Sequence, residues 1–215
     1  MLQPITNAGI LTKTDWNRVR SMLDIAWQEI EQGHWNHRKQ FYHTDGDSQC
    51  YSLEKNGGIV CARLKDNTWW KFWTGKWFES LLPWSKPLRQ YMNDQGLPIS
   101  TITYHAHTNT IYAHRDVSYQ NADPDLPHTN INLLISTTNP AQNFTWVKDH
   151  YGNEVRYFGR ANSAYFFNAG NFHGVESTGF RDGVIIKLLE PFEKVKTFID
   201  LHPDFLDENQ NYFKS

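Results

Sequence analysis

The second half of this chain limits its fold more than any other feature. Strand-length runs follow one another at Ile99 to His107, Ile111 to His114, Thr129 to Ser136, Phe144 to Val147, Val155 to Phe158, Ala164 to Asn168 and Val184 to Leu189. Gly, Asn and Pro fill the gaps between them, and Asn109-Thr110 reads as the turn of a hairpin. Many short strands with close turns bury their apolar sides in a sandwich or a jelly-roll barrel.

The first half supplies the flanks. Trp16, Val19, Met22, Leu23, Ala26, Trp27 and Ile30 recur at helical spacing, with Thr14 as the expected N-cap and Gly33 as the stop. The apolar stripe of such a helix needs a sheet face to cover. Cys50 to Leu53 and Ile59 to Leu64 read as a hairpin around Asn56-Gly57-Gly58. An aromatic stretch follows from Trp69 to Trp84, interleaved with Lys71 and Lys76. It reads as half-buried core, with a substrate wall or protein contact as the functional alternative. A short helix is expected from a Ser85 cap, with Pro87 in its first turn, to Gly96, and a last one around Glu193 to Ile199. There is no internal repeat and no linker. One domain over 1–215 is expected, with supporting helices and strands in 1–98, the barrel core in 99–190 and a tail in 191–215.

Composition narrows the class of function. Hydrophobic residues are 39% of the 215 and charged residues 20%, so the chain can build a core. The net charge of -2, with signs mixed along the sequence, argues against a nucleic-acid partner. Cys50 and Cys61 form no C-x-x-C pair and read as two small buried thiols, so a reducing, cytoplasmic setting is the expectation. The first residues lack the pattern of a signal peptide, and apolar runs such as Val184 to Leu189 are too short for a bilayer. No G-x-S-x-G elbow, P-loop or G-x-G-x-x-G run is present.

Candidate chemistry gathers at strand ends. In Ala113-His114-Arg115-Asp116, positions i and i+2 of a strand share a side, so His114 and Asp116 can offer a nitrogen and an oxygen to one ion. That donor pair suits iron(II), manganese or zinc better than calcium or magnesium. His173, within Phe166-Phe167-Asn168-Ala169-Gly170-Asn171-Phe172-His173-Gly174-Val175, is the third candidate, reached after enough strands to circle a jelly roll. Two histidines and a carboxylate on one face of an octahedral ion leave three positions open. Arg181, between Gly179 and Gly183, offers a planar fork for a carboxylate. Asp182-Gly183 is a turn signal that would leave Arg181 in a loop, with Lys187 then the alternative cation. The strand after it is expected to pair back toward His173.

Together, His114-Arg115-Asp116, His173 and Arg181 resemble the iron(II)/2-oxoglutarate-dependent oxygenase superfamily, over about Tyr104 to Leu189. The resemblance implies a mostly β fold with flanking α-helices around a double-stranded β-helix (jelly-roll, cupin-like) core. It implies iron held by His114, Asp116 and His173, 2-oxoglutarate as co-substrate with its distal carboxylate on Arg181, and O2 as oxidant, with succinate and CO2 released. Arg181 follows His173 by fewer residues than the family arginine more often does. Tyr104 stands where a family tyrosine contacts 2-oxoglutarate, with an ordinary half-buried strand tyrosine as the other reading. Asn130 and Asn132 alternate with apolar residues and can face the same ligand. The expected reaction is hydroxylation of an amino-acid or peptidyl side chain. A cupin-like metalloprotein using His105 and His107, without 2-oxoglutarate chemistry, and a non-catalytic jelly-roll binding module are the alternatives.

Overall fold

The computed structural model describes residues 2–34, 37–41, 48–53, 58–65, 68–108, 110–116 and 129–214, with backbone alone for residue 31 and the described stretches of 37–71. The strands are β1 (Leu2–Ile5), β2 (His37–Phe41), β3 (Ser48–Leu53), β4 (Gly58–Lys65), β5 (Thr68–Thr74), β6 (Ile99–His107) and β7 (Ile111–His114). They continue as β8 (Thr129–Thr137), β9 (Phe144–Lys148), β10 (Glu154–Tyr157), β11 (Ser163–Asn168), β12 (His173–Glu176) and β13 (Arg181–Leu188). The helices are α1 (Gly9–Lys13), α2 (Trp16–Glu31), α3 (Lys76–Glu79), α4 (Ser85–Asp94) and α5 (Phe192–Leu201).

Among the described residues the strands form two antiparallel sheets. The larger runs β1-β11-β8-β13-β6-β5-β4-β3-β2 and the smaller β10-β9-β12-β7. From β6 to β13 the chain passes repeatedly from one sheet to the other, which is the winding of a double-stranded β-helix, or jelly roll. β2 to β5 extend its larger sheet beyond β6, and β1 adds to the far edge.

Two expected pairings are corrected. β6 and β7 do not form a hairpin: β6 already has β5 on one edge and β13 on the other, so β7 enters the smaller sheet beside β12. β13 likewise pairs with β6 and β8 rather than turning back onto the His173 strand. The expected turn at Asp182-Gly183 is also absent, because β13 starts at Arg181 and runs through it. Gly183 is needed there for close approach: a Cβ would lie 2.5 Å from the Leu133 carbonyl oxygen.

The helices cover one face of the larger sheet. Ile102, Leu133, Phe166 and Val184 pack with Leu23 of α2, Leu88 of α4 and Val195 of α5 in one buried cluster. The aromatic stretch sends Trp73, Phe78 and Trp84 into this core. The α2 cap is Asp15, whose carboxylate accepts the Arg18 N–H at 3.0 Å, and not Thr14, whose hydroxyl donates to Ile10 at the end of α1. Ser85 does not cap α4 either, since its hydroxyl donates to the Glu79 carbonyl. The turn at Asn56-Gly57 and the side chains of Cys50, Cys61, Trp69 and Trp70 lie outside the described residues. No helix among the described residues is long and apolar enough to cross a membrane.

Strand alternation sends the other face of the larger sheet toward the smaller one. Tyr165 and Phe167 of β11 meet Val147 of β9 there in a second, smaller apolar cluster. By register this inner face also carries His105 and His107 of β6, Asn130 and Asn132 of β8, and Arg181 and Lys187 of β13.

Candidate metal centre

β7 and β12 lie side by side in the smaller sheet, with His173 directly opposite His114 and Val175 opposite Ile111. Two residues separate the partners on β7 and one separates them on β12, so β7 carries a bulge at Tyr112-Ala113. Strict alternation would put Ile111 and His114 on opposite sides. The extra residue lets His114 turn inward beside His173, and their ring centroids are 4.3 Å apart. Close strand approach here depends on Gly174, where a Cβ would lie 2.7 Å from both the Ile111 carbonyl oxygen and the Trp146 ring. Just past β7 the Asp116 N–H donates to the Ala169 carbonyl at 3.0 Å, which brings its carboxylate over the pair.

His114, Asp116 and His173 therefore offer ligand atoms that all lie within 4.8 Å of one another. Asp116 Oδ1 is 3.6 Å from His114 Nε2 and 3.7 Å from His173 Nε2. Each histidine turns its other nitrogen to the carbonyl two residues earlier: His114 Nδ1–H donates to Tyr112 at 2.8 Å and His173 Nδ1–H to Asn171 at 2.9 Å. A proton held on Nδ1 leaves the Nε2 lone pair for a metal. Burial pushes the His173 imidazole down to about 4, His114 and Lys187 act in the same direction, and Asp116 acts against them. Burial also pushes the Asp116 carboxyl up, but Lys187, His173, Asn130 and His114 together hold it below its ordinary value. Neutral imidazole and ionised carboxylate are the forms that bind a cation. Two nitrogens and one oxygen fit a transition metal such as iron(II).

The second oxygen of Asp116 is occupied. Asn130 Nδ2 donates to Oδ2 at 2.8 Å, and Lys187 Nζ lies 3.2 Å from it.

Arg181 also faces this interior and is 2% exposed. Its Nη2 donates to Tyr165 Oη at 2.7 Å and Thr145 Oγ1 at 2.9 Å, and Asn132 Nδ2 donates to the same phenol at 2.8 Å. Arg181 Nε has no hydrogen-bond partner among the described residues. Among the described residues no carboxylate pairs with this guanidinium, an arrangement that favours an anionic ligand because an unpaired buried charge is costly. Thr145, which accepts from Arg181, pairs with Val175, and Val147 pairs with His173, so the Thr145 backbone stands two residues along the strand from the His173 row, about 7 Å at strand spacing.

Tyr104 lies on the opposite, helix-covered face of β6, where its hydroxyl donates to Asp182 Oδ2 at 2.8 Å. The fully buried Asp182 also takes Arg20 at 2.7 and 3.0 Å and the Ser136 hydroxyl. His105 and His107 face inward with ring centroids 5.8 Å apart, at the level of Gly183 and Arg181, and do not join the ligand group at Asp116. Tyr165 and Thr145 were not singled out in the sequence. Thr145 lies between Phe144 and Trp146 and Tyr165 just before Phe166-Phe167, and neither has a spacing that marks it as an arginine partner.

No family model and no curated protein matches the chain. Solved structures do. One is AviO1 from Streptomyces viridochromogenes, at 10% identity and a TM-score of 0.46, with 88% of each chain covered. Another is a Pseudomonas putida prolyl-4-hydroxylase, at 12% identity and a TM-score of 0.44, covering 87% of this chain and 90% of that one. A third is a 2OG-Fe(II) oxygenase-family oxidoreductase from Burkholderia pseudomallei, at 11% identity and 0.41, covering 72% and 73%. At these scores the likenesses carry no argument about chemistry, which rests on the side chains of this chain.

Proposed function

We propose that this protein is a non-haem iron(II)- and 2-oxoglutarate-dependent dioxygenase that hydroxylates an amino-acid or peptidyl side chain, releasing succinate and CO2. The observation that carries the reading is a buried Arg181 with no carboxylate partner among the described residues, facing the same interior as the His114, Asp116 and His173 triad. A triad alone accommodates many metal-dependent reactions. A fixed guanidinium on the same inner face, bonded to Thr145 two residues along β9 from the partner of His173, favours a ligand that chelates the metal at one end and presents a carboxylate at the other.

In this reading His114 Nε2, His173 Nε2 and Asp116 Oδ1 hold iron(II), which supplies oxygen activation when bound. Arg181, supported by Thr145 and Tyr165, holds the distal carboxylate of 2-oxoglutarate. Phe167 and Val147 belong to the buried apolar cluster of this inner face, and the Phe167 ring lies 4.9 Å from that of His173. The near-neutral net charge of the chain favours a small or peptidyl substrate over a polyanion.

The test is anaerobic titration of iron(II)-loaded protein with 2-oxoglutarate, followed by turnover with pooled amino acids and peptides. A weak visible charge-transfer band, succinate formation and a mass gain of one oxygen atom in a pooled compound are expected. Iron-loaded, folded protein showing neither band nor succinate sinks the proposal. Tight metal binding without 2-oxoglutarate affinity favours the cupin-like metalloprotein instead.

A further inference from the structure

Asp116 is held by more than its backbone. Its Oδ1 faces both Nε2 atoms, while its Oδ2 receives Asn130 Nδ2 at 2.8 Å and stands 3.2 Å from Lys187 Nζ. The two donors come from neighbouring strands in register, since Lys187 of β13 lies opposite Asn130 of β8. The direction of the Asn130 amide is forced. Flipping it would set oxygen against oxygen at Asp116, so its own Oδ1 stays buried without a hydrogen-bond partner among the described residues. A buried acceptor left unsatisfied is unfavourable, and the contact to Oδ2 is what keeps the amide in that orientation.

We infer that Lys187 and Asn130 are positioning residues that lock Asp116 as a single-oxygen metal ligand, so that the metal keeps the two adjacent positions a chelating 2-oxo acid needs. The inference rests on the proposed function above. A carboxylate has two equivalent oxygens, and an unrestrained one next to a divalent ion can chelate with both. Here the cation of Lys187 and the amide of Asn130 hold Oδ2 away from the histidine side. Lys187, which sequence reasoning offered as the alternative anchor for the co-substrate, thus acts on the protein ligand. Arg181, on the same strand face, is left for the distal carboxylate.

The experiment uses full-length protein loaded anaerobically with cobalt(II), whose visible absorption reports coordination number and geometry. The metal alone is the first probe and 2-oxoglutarate the second. Lys187→Met is expected to bind cobalt but to shift its visible spectrum before any 2-oxoglutarate is added, and then to bind 2-oxoglutarate at least tenfold more weakly than wild type. Lys187→Arg, which keeps a cation near Oδ2, is expected to restore the wild-type spectrum. If Lys187→Met does not fold, Lys187→Gln and Asn130→Ser carry the same expectation. A Lys187→Met cobalt spectrum that superimposes on wild type, or unchanged 2-oxoglutarate affinity, overturns the clamp. Wild-type protein that binds no cobalt, or binds it without 2-oxoglutarate affinity, overturns the proposed function itself, so the two failures are told apart.

Discussion

Lys187 and Arg181 project from the same face of β13, yet among the described residues only Lys187 meets a carboxylate. Its Nζ lies 3.2 Å from Asp116, whereas Arg181 donates to the hydroxyls of Thr145 and Tyr165. One strand therefore presents a cation matched inside the protein and another matched by nothing among the described residues.

This asymmetry separates stability from binding at Arg181. Arg181→Met removes a buried charge that no carboxylate among the described residues balances, so the metal-free melting temperature is expected to hold or rise. Affinity for 2-oxoglutarate is expected to fall about 100-fold, about 2.8 kcal/mol, while metal affinity stays within a few-fold. Thermal melts and calorimetric titrations of the same preparation check both halves. A large loss of stability with unchanged 2-oxoglutarate affinity would place the arginine among purely structural residues.

Tyr104 gives the opposite pattern. Its phenol donates to the fully buried Asp182 on the helix side of the sheet. Tyr104→Phe is expected to cost about 1.5–3 kcal/mol of stability, the range for a hydrogen bond to a charged group. 2-Oxoglutarate affinity is expected to be unchanged. Denaturant midpoints and titration of Tyr104→Phe against wild type decide it, and a tenfold loss of affinity would contradict the placement of this residue.

Acid is expected to weaken the fold through His105. Burial pushes this imidazole well below its ordinary value, and the charges of His107 and Arg181 push the same way. The folded state keeps it neutral while the unfolded chain takes up a proton below about pH 6.5. Its contribution is therefore fully present above that pH and is lost as pH falls, at up to about 1.4 kcal/mol per pH unit. Urea midpoints at pH 7.5 and 5.5 check this. Wild type is expected to lose more stability between them than His105→Gln, with the slope that remains in the variant coming in part from His173.

Gly174 sets how closely β7 and β12 approach. A methyl group there would meet backbone and ring atoms at 2.7 Å, neither of which is the free end of a flexible chain. Gly174→Ala is expected to cost about 1–3 kcal/mol by overpacking and to weaken divalent-metal binding about tenfold or more, because it pushes His173 away from His114. Isothermal titration with cobalt(II) alongside denaturation measures the two effects. Intact metal affinity in a destabilised variant would show that the bulge tolerates a shift without moving the ligands.

Much of the architecture was legible from local pattern. Helical period marked α2, alternation and turn residues marked most strands of the jelly roll, and the His114-Arg115-Asp116 spacing marked a ligand pair at a strand end. These features depend on neighbours along the chain, where one residue's geometry constrains the next. Alternation assigns Tyr104 and His105 to opposite faces but does not say which face looks inward. Only helix packing over the larger sheet decided that Tyr104 meets Asp182. Asp182-Gly183 has the composition of a turn, yet it runs as strand because Asp182 is satisfied by Arg20, Ser136 and Tyr104 and because Gly183 fits against Leu133. Long-range partners overrode local preference there.

The sequence by itself determined which side chains are available: two imidazoles, a carboxylate and two cations at or just beyond strand positions, with enough chain between Asp116 and His173 for several strands. The tertiary structure alone decided which of them meet. Sheet order placed β12 beside β7, a one-residue bulge turned His114 to the side of His173, and strand register gave Lys187 to Asp116 and left Arg181 without an anion among the described residues. The physical reason is that alternation is a local property of the backbone, whereas sheet order and register follow from burying whole faces at once, at a cost in chain entropy that no short stretch of sequence can reveal.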